Sequence, residues 1–196
     1  MLDLQPAADQ IAANVARIGD DQLGNPTPSG DRSVSELLAH IHGLSIAFRD
    51  AARKVEGPTT STSPSDGLLL LDPEWRSAIP QALGDLLAAW REPEAWEGTT
   101  MVGGVPMAGQ ECGAVVNNEV VIHGWDLAVS TGQSFAASEA NLRASYEFCS
   151  QVPDDQQARA GLFGPVVRVP GDAPLLDRTL GLAGRDPTWK PSPKVT

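Results

Sequence analysis

This sequence has little cysteine, little positive charge and no long apolar run. Each of these shortages argues against a class of protein or partner. It has two cysteines, Cys112 and Cys149. In a chain whose first residues show neither a basic nor an apolar leader, these thiols are expected to stay reduced in the cytoplasm. Lysine and arginine total 14 against 25 acidic residues, a net charge of −11. We therefore expect no nucleic-acid or membrane partner, because both require a basic face, and no apolar run approaches the roughly 20 residues of a membrane span.

The length and composition that remain suit one folded domain. A chain of 196 residues buries roughly 70% of its unfolded surface and needs no disulfide or metal merely to fold. Hydrophobic residues make up 41% and charged residues 20% of the chain, which excludes wholesale disorder. We expect a single domain over residues 1–190, followed by a loose tail over residues 191–196.

Apolar residues recur three and four positions apart along most of the chain, and this spacing predicts a mainly α structure. The second predicted helix starts at a capping box formed by Ser33 and Glu36, and the third is expected to begin with Asp72 as N-cap and Pro73 as its first residue. The predicted helices span residues 3–18, 34–55, 73–92, 110–130 and 138–151, with a shorter one over 174–183.

Two other segments are predicted to be non-helical. Two short β-prone runs flank Gly103 and Gly104, which predicts a small β-hairpin with Pro106 on an edge strand. Residues 57–66 are rich in proline, serine and threonine and are predicted to form a loop. Four long helices with a hairpin before the fourth favour a four-helix bundle, in which loops of ten or more residues allow a long crossover connection. The C-terminal segment is otherwise expected to be irregular.

Glu119 and His123 are the residue pair most suggestive of chemistry. They are four apart, so they lie on one face of the fourth long helix, and both can reach one metal ion. The valines around them and Ile122 make this helix apolar nearly all round, and a carboxylate buried there must be paired, protonated or metal-bound. Asp126 follows His123 by three and could accept the ring N–H of that histidine.

His40 is the best candidate for a third ligand. It is flanked at three and four residues by Leu37 and Leu44, on the apolar face of the second helix, whereas His42 points about 200° further round that helix. The residues alone leave other interpretations open: His40 as a hydrogen-bonded core histidine, Glu119 and His123 as an ion pair on a helix, and Cys112 as a buried inert thiol.

Residues 118–128 read N-E-V-V-I-H-G-W-D-L-A. This segment resembles the E-x-x-x-H-G-W-D-L-A signature of a family in the DinB/YfiT-like superfamily, related to the metal-binding N-terminal domain of mycothiol-dependent maleylpyruvate isomerase. Two further segments are similar to motifs of that family in the same order. Residues 26–28 with 33–40 read P-T-P and S-V-S-E-L-L-A-H, and residues 176–189 run from L-D-R to G-R-D-P-T-W.

The resemblance implies a DinB-like four-helix bundle that holds a divalent metal with His40, Glu119 and His123. Zinc is the first expectation, and nickel, manganese and iron stay open. The sequence departs from the family at residues 29–32, which read S-G-D-R where cysteine and tryptophan are usual. The chain also shows no counterpart of the separate C-terminal domain of the isomerase, so maleylpyruvate isomerisation itself is not carried over.

Three protein ligands leave an open position on the metal, as in catalytic sites. Our hypothesis is a transferase or isomerase that uses a low-molecular-weight thiol of the mycothiol type and acts on a small electrophile. Asp126 would orient His123, and His42 is a candidate base. The alternative is a non-catalytic module that binds a metal or a small molecule, so enzyme activity is left open, as is a homodimer.

Overall fold

The computed structural model describes residues 1–62 and 70–191. Single 3₁₀ turns at Asp20–Gln22 and Pro93–Trp96 connect some of the regular elements. In chain order these elements are α1 (Gln5–Val15), α2 (Val34–Ala52), α3 (Pro58–Ser61), α4 (Trp75–Trp90), β1 (Thr99–Val102), β2 (Val105–Ala108), α5 (Gly109–Ser130), α6 (Glu139–Ser150), α7 (Gln156–Arg159) and α8 (Leu175–Leu182).

The long helices α1, α2, α4 and α5 form a closed bundle. Both α1 and α2 pack on α4 and on α5, so α1 and α2 lie across the bundle from each other. The connection over residues 16–33 therefore crosses one end of the bundle, as does the connection from α4 to α5 that carries the hairpin. The predicted four-helix bundle with a crossover, a hairpin before the fourth long helix and an irregular C-terminal segment is confirmed.

Helix α5 is buried on nearly every side, as its composition predicts. α1 and α2 pack on it from within the bundle and α6 covers it from outside, with α8 packed on α6. Val116, Val121 and Leu127 have no exposed surface. Asp126 on α5 is consequently held away from water, where a charged group needs partners.

The entry to α2 is fixed by its capping box. The Ser33 hydroxyl accepts the Glu36 amide at 3.4 Å, and Glu36 Oε2 accepts the Ser33 amide at 2.8 Å. An isolated bridge between Pro26 and Ser33 closes the preceding loop. This confirms the predicted start of the second helix and holds the loop at the bundle end.

The expected start of the third helix is wrong. Helix α4 begins at Trp75, and Asp72 does not cap it. Instead the Asp72 carboxylate accepts the Glu74 amide at 2.7 Å, and its carbonyl accepts the Trp75 amide at 3.0 Å. An aspartate followed by proline satisfies a local turn more readily than a helix start, because its side chain folds back on the next free amide.

Other boundaries differ by less. Helix α1 is shorter at both ends than predicted, since the Asp3 carboxylate accepts the Gln5 amide at 3.0 Å and so defines the start of the helix. The short helix α3 lies inside the predicted loop over 57–66, of which residues 63–66 are outside the described residues. The same holds for 192–196 of the predicted tail.

The hairpin has the predicted two-residue turn. Val102 pairs with Val105, and Gly103 and Gly104 have φ angles of 59° and 76°, which a hairpin turn of the primed type requires. Pro106 lies on β2, an edge strand as expected. Within the described ranges, none of the helices combines the length and apolar character needed to cross a bilayer.

Candidate metal centre

His40 is presented by the buried face of α2. Its neighbours one turn away, Leu37 and Leu44, are buried, and His40 itself is 5% exposed. The ring meets that of His123 on α5 edge to face, with 4.9 Å between the ring centroids. Two helices distant in sequence thus bring two imidazoles into contact.

Glu119 completes the cluster from one turn earlier on α5. Its Oε2 atom lies 3.1 Å from Nε2 of His123. One ligand atom from each of His40, Glu119 and His123 can be chosen so that all lie within 4.8 Å of one another. The structure therefore brings together the three side chains that the sequence singles out.

Asp126 lies behind His123 and is completely buried. Its Oδ2 atom is 3.0 Å from Nδ1 of His123. This contact leaves Nε2 as the nitrogen that faces Glu119. The predicted contact between Asp126 and the His123 ring is therefore present, and it fixes the ring orientation.

Arg185 holds the other side of Asp126. Its Nε donates to Asp126 Oδ1 at 3.1 Å and its Nη2 donates to Oδ2 at 2.9 Å. A third N–H, on Nη1, donates to the Ala183 carbonyl at 3.1 Å. This forked pairing compensates the buried carboxylate, and it ties the segment after α8 to the centre of the bundle.

The members of this network keep one another charged. Burial opposes ionisation of Glu119, but the hydrogen bond and the charge of His123 bring the pKa of Glu119 below its ordinary value. Burial likewise disfavours protonated His123, yet hydrogen bonds to Asp126 and Glu119 raise its pKa. For Asp126 the burial penalty is outweighed by the charge of Arg185, and the pKa is lowered. Two ionised carboxylates therefore flank His123, which favours a cation at this place.

A cavity of about 580 Å³ opens onto the cluster, with His40, Glu119 and His123 in its lining. This volume is in the range of small-molecule sites. The remaining walls come from the loop before α2, the hairpin, α6 and residues 161–164. The apolar part of the lining includes Val102, Val105, Met107, Phe148, Leu162 and Phe163.

The structure does not bring His42 to the cluster. It is half-buried on α2 and is absent from the lining of the cavity. The sequence reasoning missed Arg185, whose only signal was its place in the G-R-D-P segment. It also missed Ser29 and Arg32, which line the cavity and stand where the sequence departs from the family pattern.

The fold and the site define this protein as a four-helix bundle with a His–Glu–His cluster that lines a cavity. The chain belongs to the family described as the mycothiol maleylpyruvate isomerase N-terminal domain, whose model matches residues 4–128. That span contains His40, Glu119, His123 and Asp126. It leaves out Arg185 and the cavity walls that follow α5.

Two similar proteins come from two strains of Mycobacterium tuberculosis and are named only as uncharacterized. Each is 30% identical over 133 residues, which span 66% of this chain and 66% of the relative's own length. Crystal structures of mycothiol-dependent maleylpyruvate isomerase and of a mutant of it match with a TM-score of 0.55 at 17% and 16% identity, over 76% of this chain and 67% of theirs. At this identity the likeness shows the shared fold.

Proposed function

We propose that this protein binds one divalent metal ion through His40, Glu119 and His123 and uses a low-molecular-weight thiol, of the mycothiol type, in a transferase or isomerase reaction on a small electrophile. The observation that carries the proposal is the convergence of three ligand atoms within 4.8 Å of one another at the base of a cavity of about 580 Å³.

The donor set fits such an ion. Two imidazole nitrogens and one carboxylate oxygen suit zinc first, and also nickel, manganese and iron. Two atoms that each bind zinc at about 2.0–2.1 Å with tetrahedral angles stand roughly 3.3 Å apart, close to the 3.1 Å between Glu119 Oε2 and His123 Nε2. Asp126 on the far nitrogen of His123 is the partner that metal-binding histidines usually have.

A divalent ion held with three protein ligands would lower the pKa of a thiol entering its open position and so favour the nucleophilic thiolate. Several residues of the chain would position His123 for this role. With a metal bound, Asp126 would accept the Nδ1–H of His123 and leave the lone pair of Nε2 for the ion, while Arg185 holds Asp126 in place. The apolar walls exclude water around the reacting atoms and leave room for a small electrophile.

The proposal that the reaction uses a thiol is supported by the family. The family description names mycothiol, and the solved structures that share the fold are of a mycothiol-dependent enzyme. The protein's own cysteines do not serve instead, because neither Cys112 nor Cys149 is among the residues that line the cavity.

Elemental analysis of the purified protein and of two histidine variants tests the proposal. We expect about one divalent ion per chain in the wild type and in His42→Ala, and less than about a tenth of that in His123→Ala, because three ligands act together. Turnover of thiol with a panel of electrophiles should require both the metal and the thiol. The turnover of the His42→Ala variant also tests whether His42 acts as a base.

Equal metal content in His123→Ala and the wild type would end the metal proposal. Firm metal retention without thiol-dependent turnover would instead support a binding module and contradict the transferase or isomerase part.

A further inference from the structure

The loop before α2 places two polar side chains on the cavity wall. Its conformation is fixed internally: Thr27 Oγ1 donates to the Arg32 carbonyl at 2.9 Å and accepts the Ser29 amide at 3.1 Å. Within this frame Arg32 Nη1 donates to the Ser29 hydroxyl oxygen at 3.2 Å. Both Ser29 and Arg32 line the cavity that holds the candidate metal centre.

Among the described residues, the charge of Arg32 is not compensated by contact with a carboxylate. In the part of the chain that the structure describes, no acidic oxygen lies within the 4.0 Å ion-pair distance of its guanidinium. Glu36, whose pKa the charge of Arg32 helps to lower, is engaged in the capping box, and Asp31 is exposed.

Ser29 is prepared to donate. Its hydroxyl oxygen accepts from Arg32 at 3.2 Å and from Nη2 of Arg185 at 3.4 Å, and a hydroxyl that accepts two bonds still has its own proton to give. Arg185 is already neutralised by Asp126. The contact with Arg185 places Ser29 beside the network that carries His123, so a group bound here would lie close to the metal centre.

Other walls of the cavity are apolar. Val102 and Val105 from the hairpin and Phe148 and Phe163 from the C-terminal half line the same cavity. A ligand that satisfies both sides has one anionic end and an apolar body. A small dicarboxylate such as succinate has no apolar body to lie against these walls, so it gains less from burial there.

We propose that Arg32 and Ser29 form a carboxylate-binding subsite that positions an amphipathic monocarboxylate, such as an aryl or alkyl acid, beside the metal centre. The subsite deepens the function proposed above and rests on it for its catalytic meaning, but its binding can be measured without turnover. The planar guanidinium and the hydroxyl donate to the two carboxylate oxygens, and the apolar body lies against the valine and phenylalanine walls.

Calorimetric titration with matched acid and amide probes tests the subsite. The first pair is 3-phenylpropanoate and 3-phenylpropanamide, which carry no thiol. The second is 3-mercaptopropanoate and 3-mercaptopropanamide. Metal-loaded and chelator-treated protein are both titrated, since a carboxylate can also bind a metal directly. We expect at least one acid to bind roughly 10- to 100-fold more tightly than its amide in both forms of the protein, and succinate to bind more weakly than 3-phenylpropanoate.

Arg32 variants locate the preference. Arg32→Gln should bring acid and amide to equal affinity with the metal content unchanged, and Arg32→Lys should keep part of the preference. Arg17→Gln is the charge-matched control, because Arg17 is exposed and does not line the cavity. If the acid binds more tightly than the amide in the phenyl pair, the subsite binds a carboxylate of the electrophile. If it does so in the mercapto pair, the subsite binds a carboxylate of the thiol.

Failure of this proposal is distinguishable from failure of the metal proposal. An acid preference that survives in His123→Ala supports the subsite whether or not a metal binds. Equal affinity for acid and amide in both pairs, or an equal loss in Arg32→Gln and Arg17→Gln, would overturn it.

Discussion

At the scale of single residues, the candidate site depends on how Asp126 is neutralised. This carboxylate is completely buried and has a charged or polar partner on each side, Arg185 at 2.9 Å and His123 at 3.0 Å. Removal of Arg185 would leave this buried charge without its cationic partner, which is strongly destabilising, whereas the pairing with Arg185 remains when His123 is replaced. Arg185 therefore holds Asp126 beside the candidate metal centre, and it does so from a segment outside the matched span of the family.

The two cysteines give a residue-scale prediction about pH. Burial raises the pKa of Cys112 and of Cys149 to about 12, and the Cys149 thiol donates to Asn118 Oδ1 at 3.2 Å. Only the thiolate reacts, so at about pH 8 native protein should be alkylated by iodoacetamide roughly a thousandfold more slowly than an ordinary thiol. The rate should rise about tenfold for each pH unit towards the folded pKa, and mass spectrometry follows the labelling. The denatured protein is the control, and native labelling at the denatured rate would contradict the prediction.

Whether the sequence predicts a site residue depends on how far away in sequence its contact partner lies. Glu119 and His123 are four apart on one helix, so their proximity is a local property that can be derived from the sequence. His40 could be chosen over His42 because its place between two leucines sets the face on which it lies. Arg185 could not be found in this way, since its contact with Asp126 is long-range and its segment has no periodicity.

At the scale of elements, local chemistry predicts the helices well where it is unopposed. The capping box fixes the start of α2, and the apolar content of α5 predicts its burial. The start of α4 is misjudged because the Asp72 side chain can satisfy either a helix end or a turn, and the choice depends on the chain around it. The short helices α3 and α7 carry too few residues to show a period.

Two glycines give an element-scale prediction. Gly184 follows α8 with a φ of +76°, and a Cβ there would lie 2.7 Å from the Gly164 carbonyl oxygen. Gly184→Ala should therefore lower the free energy of unfolding by roughly 1–3 kcal/mol, from backbone strain and the clash. Gly43 is exposed in the middle of α2, and a Cβ there meets nothing within 4 Å.

The matched variant Gly43→Ala should leave stability unchanged or raise it by about 0.5–1 kcal/mol. Urea unfolding measures both variants. If Gly184→Ala proved as stable as Gly43→Ala, the close approach of the chain segments around Gly164 and Gly184 would be wrong.

At the scale of the whole molecule, the candidate site connects parts of the chain that are far apart in sequence. His40 comes from α2, Glu119 and His123 come from α5, and Arg185 comes from the segment after α8. The cavity likewise has walls from the loop before α2, from the hairpin and from the C-terminal half. The bundle could be predicted from helix count and loop lengths, but the cavity arises only when these distant segments meet.

Because the ligands come from two helices far apart in sequence, a bound metal should stabilise the whole fold. In the unfolded chain the segments that form α2 and α5 are far apart and cannot hold the ion with three ligands. Metal binding therefore adds about 2.7 kcal/mol to the free energy of unfolding when the free metal is at a hundred times its Kd. For a chain of this length that corresponds to a rise in Tm of roughly 5–11 °C. A chelator should remove the increase, and added zinc should restore it, as followed by calorimetry. The His123→Ala variant is the control, and its Tm should not respond to either treatment. A chelator response of equal size in that variant would mean that the stabilising ion binds elsewhere in the protein.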